Sequence, residues 1–185
     1  MKLTLAQAVE GNGLVQGMLQ TLASLFSQVA VVREFVQLMM TVSADQLNPP
    51  ATRRIQPGAI CPLTCTVLGS AEGMLEQLLT TLNRTSEAIV PDPDRKTMLE
   101  AIAEGRTTLA AARCNVTACD LLINNVHTRQ ALERTEALAR VIGRILYRLQ
   151  AAVLEVLLAE PETPPVEPQA TQADLPVHVA VVPAP

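Results

Sequence analysis

Four cysteines are the side chains best equipped for chemistry in this chain, and they fall into two pairs, Cys61 with Cys65 and Cys114 with Cys119. Thiolates ligate zinc or copper and exchange disulfides, whereas protonated thiols pack as small apolar groups. The spacings CxxxC and CxxxxC differ from the CxxC knuckles of zinc sites and of thiol redox centres. Both pairs fall on segments with helical periodicity that turn back on each other near residue 92. Residues equidistant from that turn lie level, which pairs Cys65 with Cys119. Cys61 with Cys119 and Cys65 with Cys114 then miss by about 6–7.5 Å along the helix axis. The two pairs should therefore meet at one end of a helical hairpin. Three readings stay open: four small buried hydrophobes, interhelical disulfides (most easily Cys65–Cys119), or a tetrathiolate site for zinc or copper. Buried thiols without a cofactor are the default.

The remaining reactive side chains form no familiar set. His127 reads as a solvent-facing turn residue and His178 falls near the C-terminus. Neither completes a Glu-x-x-His pair of the kind that holds di-iron centres in bundles. The run Gly11-Asn-Gly13-Leu-Val-Gln-Gly17 approaches a dinucleotide-binding loop, but its spacing is one residue too long. Lys2 to Val9 could form a short strand ahead of it, yet no parallel partner follows, so the run reads as a flexible lead into the first helix. No nucleophile elbow, phosphate loop or Ser/His/Asp set is present, and no residue is assigned a catalytic role. Arg140, Arg144 and Arg148 step by four, with Arg129 and Arg134 nearby. Such a stripe reads as a solvated face paired with acids such as Glu133 and Glu136. The sequons at Asn83 and Asn115 matter only in a secretory pathway.

The elements that carry these residues are helical. In the first, Val15, Met18, Leu22, Leu25, Val29, Val32, Val36 and Met39 alternate spacings of three and four, a heptad seam. A proline-rich connection is expected from Ser43 to Pro62. A second helix follows from about Leu63 to Ile89, with Leu68, Ala71, Leu75, Leu78 and Leu82 as its seam. Asp92 suits the N-cap of a third helix, with Pro93 at its first position. That helix carries Met98, Leu99, Ile102, Leu109, Ala112 and Val116 and runs to about Ile123. Asn124 to Thr128 reads as a turn with Thr128 as cap. A fourth helix, Arg129 to Glu160, buries Leu138, Val141, Ile142, Ile145, Leu149 and Val153. The fold class is all-α: an antiparallel bundle of about four helices over residues 1–160, followed by a disordered, acidic, Pro-rich tail over 161–185.

Composition narrows the function classes. The chain has 185 residues, of which 49% are hydrophobic and 17% charged, with a net charge of −4. That is too apolar for global disorder and large enough for a real core. The tail holds three of the 18 acids and no Lys or Arg, so the body is nearly neutral. A neutral body with only Phe26, Phe35 and Tyr147 as aromatics argues against binding nucleic acid. Gly11 to Val32 runs uncharged and is long enough to span a bilayer, but Asn12, Gln16, Gln20, Thr21, Ser24, Ser27 and Gln28 interrupt it. The first residues make a poor signal peptide, and a cytoplasmic location is the default.

The sequence therefore points to a non-enzymatic helical interaction or assembly protein. Its seam, represented by Val15, Leu22, Val29 and Val36, would drive internal packing and self-association into a homo-oligomer. Leu175, Val177, Val179 and Val181 alternate at period two, which suits docking of the tail tip into a groove or onto a sheet edge of an unknown protein partner. The other course for the tip is folding back on its own bundle. A metal- or thiol-handling bundle using the four cysteines is the alternative. A secreted, disulfide-bonded helical signalling protein is a further one.

Overall fold

The fold is given by a computed structural model that describes residues 3–47, 57–117 and 123–159. Four helices account for nearly all of them: α1 (Leu5–Leu47), α2 (Pro57–Arg84), α3 (Asp92–Thr117) and α4 (Ile123–Leu158). Each packs against two others, in the ring α1–α2–α3–α4–α1, leaving α1/α3 and α2/α4 on the diagonals. Cross-helix contacts fix the directions. Arg33 meets Glu136 and Leu22 lies against Gly143, so residue numbers rise on α1 as they fall on α4. Glu72 with Arg113, and Glu76 with Arg106, make α2 and α3 antiparallel in the same way. The result is the antiparallel four-helix bundle expected from the periodicity.

The core is one cluster built from the four seams. On α1, Val15, Met18, Leu22, Leu25, Val29, Val32 and Val36 are all buried. The side chain of Met39 lies outside the described residues. The seam extends farther toward the N-terminus than apolar residues alone reveal, because Ala8 and Gly11 continue the same alternation and are buried. Gly11 sits at a close approach: a Cβ there would lie 3.2 Å from Ile89 Cγ2. Polar threonines take core positions on the other helices, Thr64 on α2 and Thr128 and Thr135 on α4. Thr135 returns its hydroxyl to the Ala131 carbonyl at 2.9 Å, the usual way a helix tolerates a buried Thr.

Several boundaries differ from the sequence expectation, each for a local reason. The segment read as a strand and a flexible glycine run is helix from Leu5. Thr4 and Gln7 form a capping box: the Gln7 amide reaches Thr4 Oγ1 at 3.3 Å, and the Thr4 amide reaches Gln7 Oε1 at 2.9 Å. That reciprocal pair offsets only part of the cost of three glycines, about 3 kcal/mol, and packing of Ala8, Gly11 and Val15 into the bundle supplies the rest. Helix also takes both ends of the expected 43–62 connection: α1 runs to Leu47, and α2 starts at Pro57 with Pro62 inside it. Pro62 falls in the second turn, so it removes one i→i−4 hydrogen bond from the start of α2, a cost that the rest of this long helix carries.

α2 ends at Arg84 rather than Ile89. Ser86 to Val90 turn instead, the Val90 amide reaching the Ser86 carbonyl at 3.1 Å, and Ile89 and Val90 plug the end of the core. On α3 the first helical bond runs from the Arg95 amide to the Pro91 carbonyl, 2.9 Å, so the cap falls one residue before Asp92. Asp92 and Asp94 lie in the first turn, favourable to the helix dipole. Asn124 to Thr128 form no turn. Ile123 opens α4, and Thr128 is buried inside it as the first member of a seam continued by Leu132, Thr135, Ala139, Ile142, Leu146, Leu149 and Val153. With a threonine at two of its first three positions, that seam's start is invisible to a count of apolar residues.

Candidate functional site

Ion pairs dress the outside of the bundle and hold its register. Arg134 with Glu104 (2.6 Å) and Arg148 with Asp94 bridge α3 to α4. The hydrogen bond and charge of Glu104 raise the Arg134 pKa above its ordinary value. Arg33 with Glu136 (3.1 Å) bridges α1 to α4. Within α4, Arg129 meets Glu133 and Arg140 meets Glu136, both at helical spacing of four. The arginine stripe of α4 is thus a solvated face paired with acids, as its spacing implies. Arg144 stands apart: its Nε meets the Arg140 carbonyl at 3.4 Å, and no carboxylate lies at salt-bridge distance among the described residues.

Arg144 borders a groove of about 390 Å³ between α1 and α4, lined by Leu19, Leu22, Ala23, Phe26, Arg140, Gly143, Arg144 and Tyr147. Gly143 lets the two helices close: a Cβ there would stand 3.1 Å from Leu22 Cδ2. Leu22 therefore forms the floor, with Leu19 and Phe26 on one wall and the two guanidiniums on the other. Tyr147, 65% exposed, stands at the mouth. From it the exposed residues Ala151, Leu154 and Leu158 follow at spacings of four, three and four along α4. This uncharged track joins the groove to the end of the helix. Neither groove nor track is evident from the sequence alone, because Tyr147, Leu154 and Leu158 read there as ordinary members of an amphipathic helix.

The outer side of α1 is a second distinctive surface. Leu5, Val9, Gly13, Gln20, Ser27, Val31 and Leu38 are exposed along it, and no charge occurs in α1 between Glu10 and Arg33. Beyond Gly13 and Gly17 there is open space. By length and composition Leu5–Leu38 could also cross a membrane, with 33% of it buried inside the bundle.

The seam residues Val15, Leu22, Val29 and Val36 all face the chain's own core. Among the cysteines, Cys61 and Cys65 are half-buried at the start of α2 and Cys114 is exposed near the end of α3, while Cys119 lies outside the described residues. The α2–α3 register brings Cys65 and Cys114 to one end of the bundle. Among the described residues no three His, Cys, Asp or Glu side chains converge as metal ligands would. His127 is exposed, on α4 rather than in a turn. Leu175, Val177, Val179 and Val181 lie outside the described residues. Comparisons with protein-family models, with curated proteins and with solved structures find no match to this chain.

Proposed function

We propose that this chain is a non-enzymatic helical assembly protein whose outer α1 face receives a second copy of itself. The observation that carries this reading is that face: exposed, yet free of charge from residue 11 to 32. A soluble surface normally disperses charge over a stretch of this length, about 33 Å at the helical rise. Gly13, Gly17, Ser24 and Ser27 are small enough for two helices to approach closely, and Val9, Val31 and Leu38 supply apolar contact around them. The seam itself is spent on internal packing, so association uses the opposite side of the helix.

Native mass spectrometry of protein purified without chelator or reductant tests the proposal. The expected result is an integer oligomer, reduced to monomer by Gly17→Arg with Ser24→Arg, with helicity by circular dichroism unchanged. A wild-type chain that is monomeric at every concentration, or variants that keep the wild-type mass, would sink it. The thiol-handling alternative is favoured by the register that gathers Cys61, Cys65 and Cys114 at one end of the bundle. The same spectra address it: bound zinc or copper lost on denaturation, or a covalent mass lower by two protons per pair, would move attention to the cysteines.

A further inference from the structure

We infer that the apolar tip of the C-terminal tail, Leu175 to Val182, docks in cis into the groove between α1 and α4. The argument joins continuity, reach and charge, and is independent of the α1 outer face. The uncharged track Tyr147, Ala151, Leu154 and Leu158 begins where the chain leaves α4, so the polypeptide is delivered onto an exposed apolar path leading to the groove. Leu158 is 79% exposed, an apolar side chain with no cover from the bundle. Tyr147 is eleven residues back from it, about 17 Å at 1.5 Å per residue. Leu175 is seventeen residues beyond Leu158, and an extended proline-rich spacer reaches about 3.1 Å per residue, or ~50 Å. That is ample for a reversal at Pro161, Pro164 and Pro165 and a return along the track.

The charges match as well. Glu162, Glu167 and Asp174 make the segment from Pro161 to Pro185 purely acidic. On the groove side, among the described residues, Arg144 offers a guanidinium with no carboxylate partner and Arg140 pairs only with Glu136, which also holds Arg33. Asp174 immediately precedes the tip, so it comes within reach of Arg144 when Leu175 and Val177 cover Leu19, Phe26 and Tyr147. Alternation at period two turns Leu175, Val177, Val179 and Val181 to one side of an extended chain, which is what a groove accepts.

Tyr147 provides the test without a label. The chain has one Tyr and no Trp, so its ultraviolet emission reports on the groove mouth alone. Acrylamide quenching of the full chain is compared with the triple variant Val177→Asp, Val179→Asp, Val181→Asp and with Arg144→Glu. Docking in cis predicts shielded emission in the wild type, independent of protein concentration. Shielding is lost in the triple variant and weakened by Arg144→Glu or by high salt. Equal quenching of wild type and triple variant would overturn the inference. So would shielding that disappears on dilution, which would mark the occupant as a second copy. Circular dichroism verifies that the variants remain helical. Replacing Tyr147 with a photo-crosslinking amino acid gives a second readout. A crosslink to residues 161–185 within the monomer band agrees, and a crosslink to another chain, or none to residues 161–185, refutes it.

Discussion

Arg95 shows what a single side chain does for this fold. Its guanidinium donates to the Leu82 carbonyl at 2.7 Å and to the Thr85 carbonyl, two acceptors at the end of α2. A helix C-terminus carries unpaired carbonyls and partial negative charge, and a cation held there answers both. Arg95 belongs to the next helix, so the same bonds fix the geometry of the α2–α3 turn. Arg95→Ala is expected to cost about 1.5–3 kcal/mol, the range for hydrogen bonds to a charged group. A urea titration that finds wild-type stability would show that water replaces these bonds freely. Nothing in the sequence singles out Arg95 among twelve arginines, because its partners are backbone atoms ten and more residues away. The glycines after Thr4 and Gln7 read as a flexible lead, and the capping box that starts α1 there goes unread.

At the scale of the helix, the alternation of three and four located the cores of α1, α2 and α3, whereas on α4 Val141 is half-buried and the buried Leu132, Ala139 and Leu146 are not read as core. Val15 through Val36 are buried as their spacing implies, and so are Leu68 through Leu82 and Met98 through Val116 at the seam positions. Apolar periodicity is readable because burial selects one face, whereas helix ends depend on caps and turns with far weaker signatures. The first turns of α4 show the limit: Asn124-Asn125 reads as a turn, yet packing of Thr128 and Leu132 carries the helix through it. Leu22 tests the seam most directly, since it lies 3% exposed under the groove and against Gly143. Leu22→Asp would force a carboxylate into the apolar floor beneath the groove, a cost of several kcal/mol against a typical domain stability of about 5–15 kcal/mol. Loss of helical circular dichroism is the expected outcome. A folded variant with unchanged melting would mean that α1 can rotate its seam out of the core.

For the molecule as a whole, the ring of helices matters more than any one of them. Each has two neighbours, and α1 closes the bundle by resting on both α2 and α4. No helix can leave without uncovering the seams of two others, so helicity and Tyr147 emission should fall in one coincident transition with denaturant. Separate midpoints would reveal a part of the bundle that melts by itself. The ion pairs on its surface contribute little individually, about 0–1 kcal/mol each, and act mainly in holding one helix register against its neighbours. The bundle was legible from composition and periodicity. The groove was not, because it is produced by Gly143 meeting Leu22 across helices more than a hundred residues apart.

That closure also sets an order of events. Translation proceeds from the N-terminus, so α1 leaves the ribosome well before α4 exists, while α2 and α3 can form their hairpin as they appear. Roughly 110 residues separate the end of α1 from the end of α4, an interval of roughly 5–20 s at cellular synthesis rates. Throughout that interval the side of α1 destined for α4 has no native cover, and its uncharged run offers no electrostatic deterrent to a wrong apolar partner. The helix synthesised first is the last to find its complete surroundings.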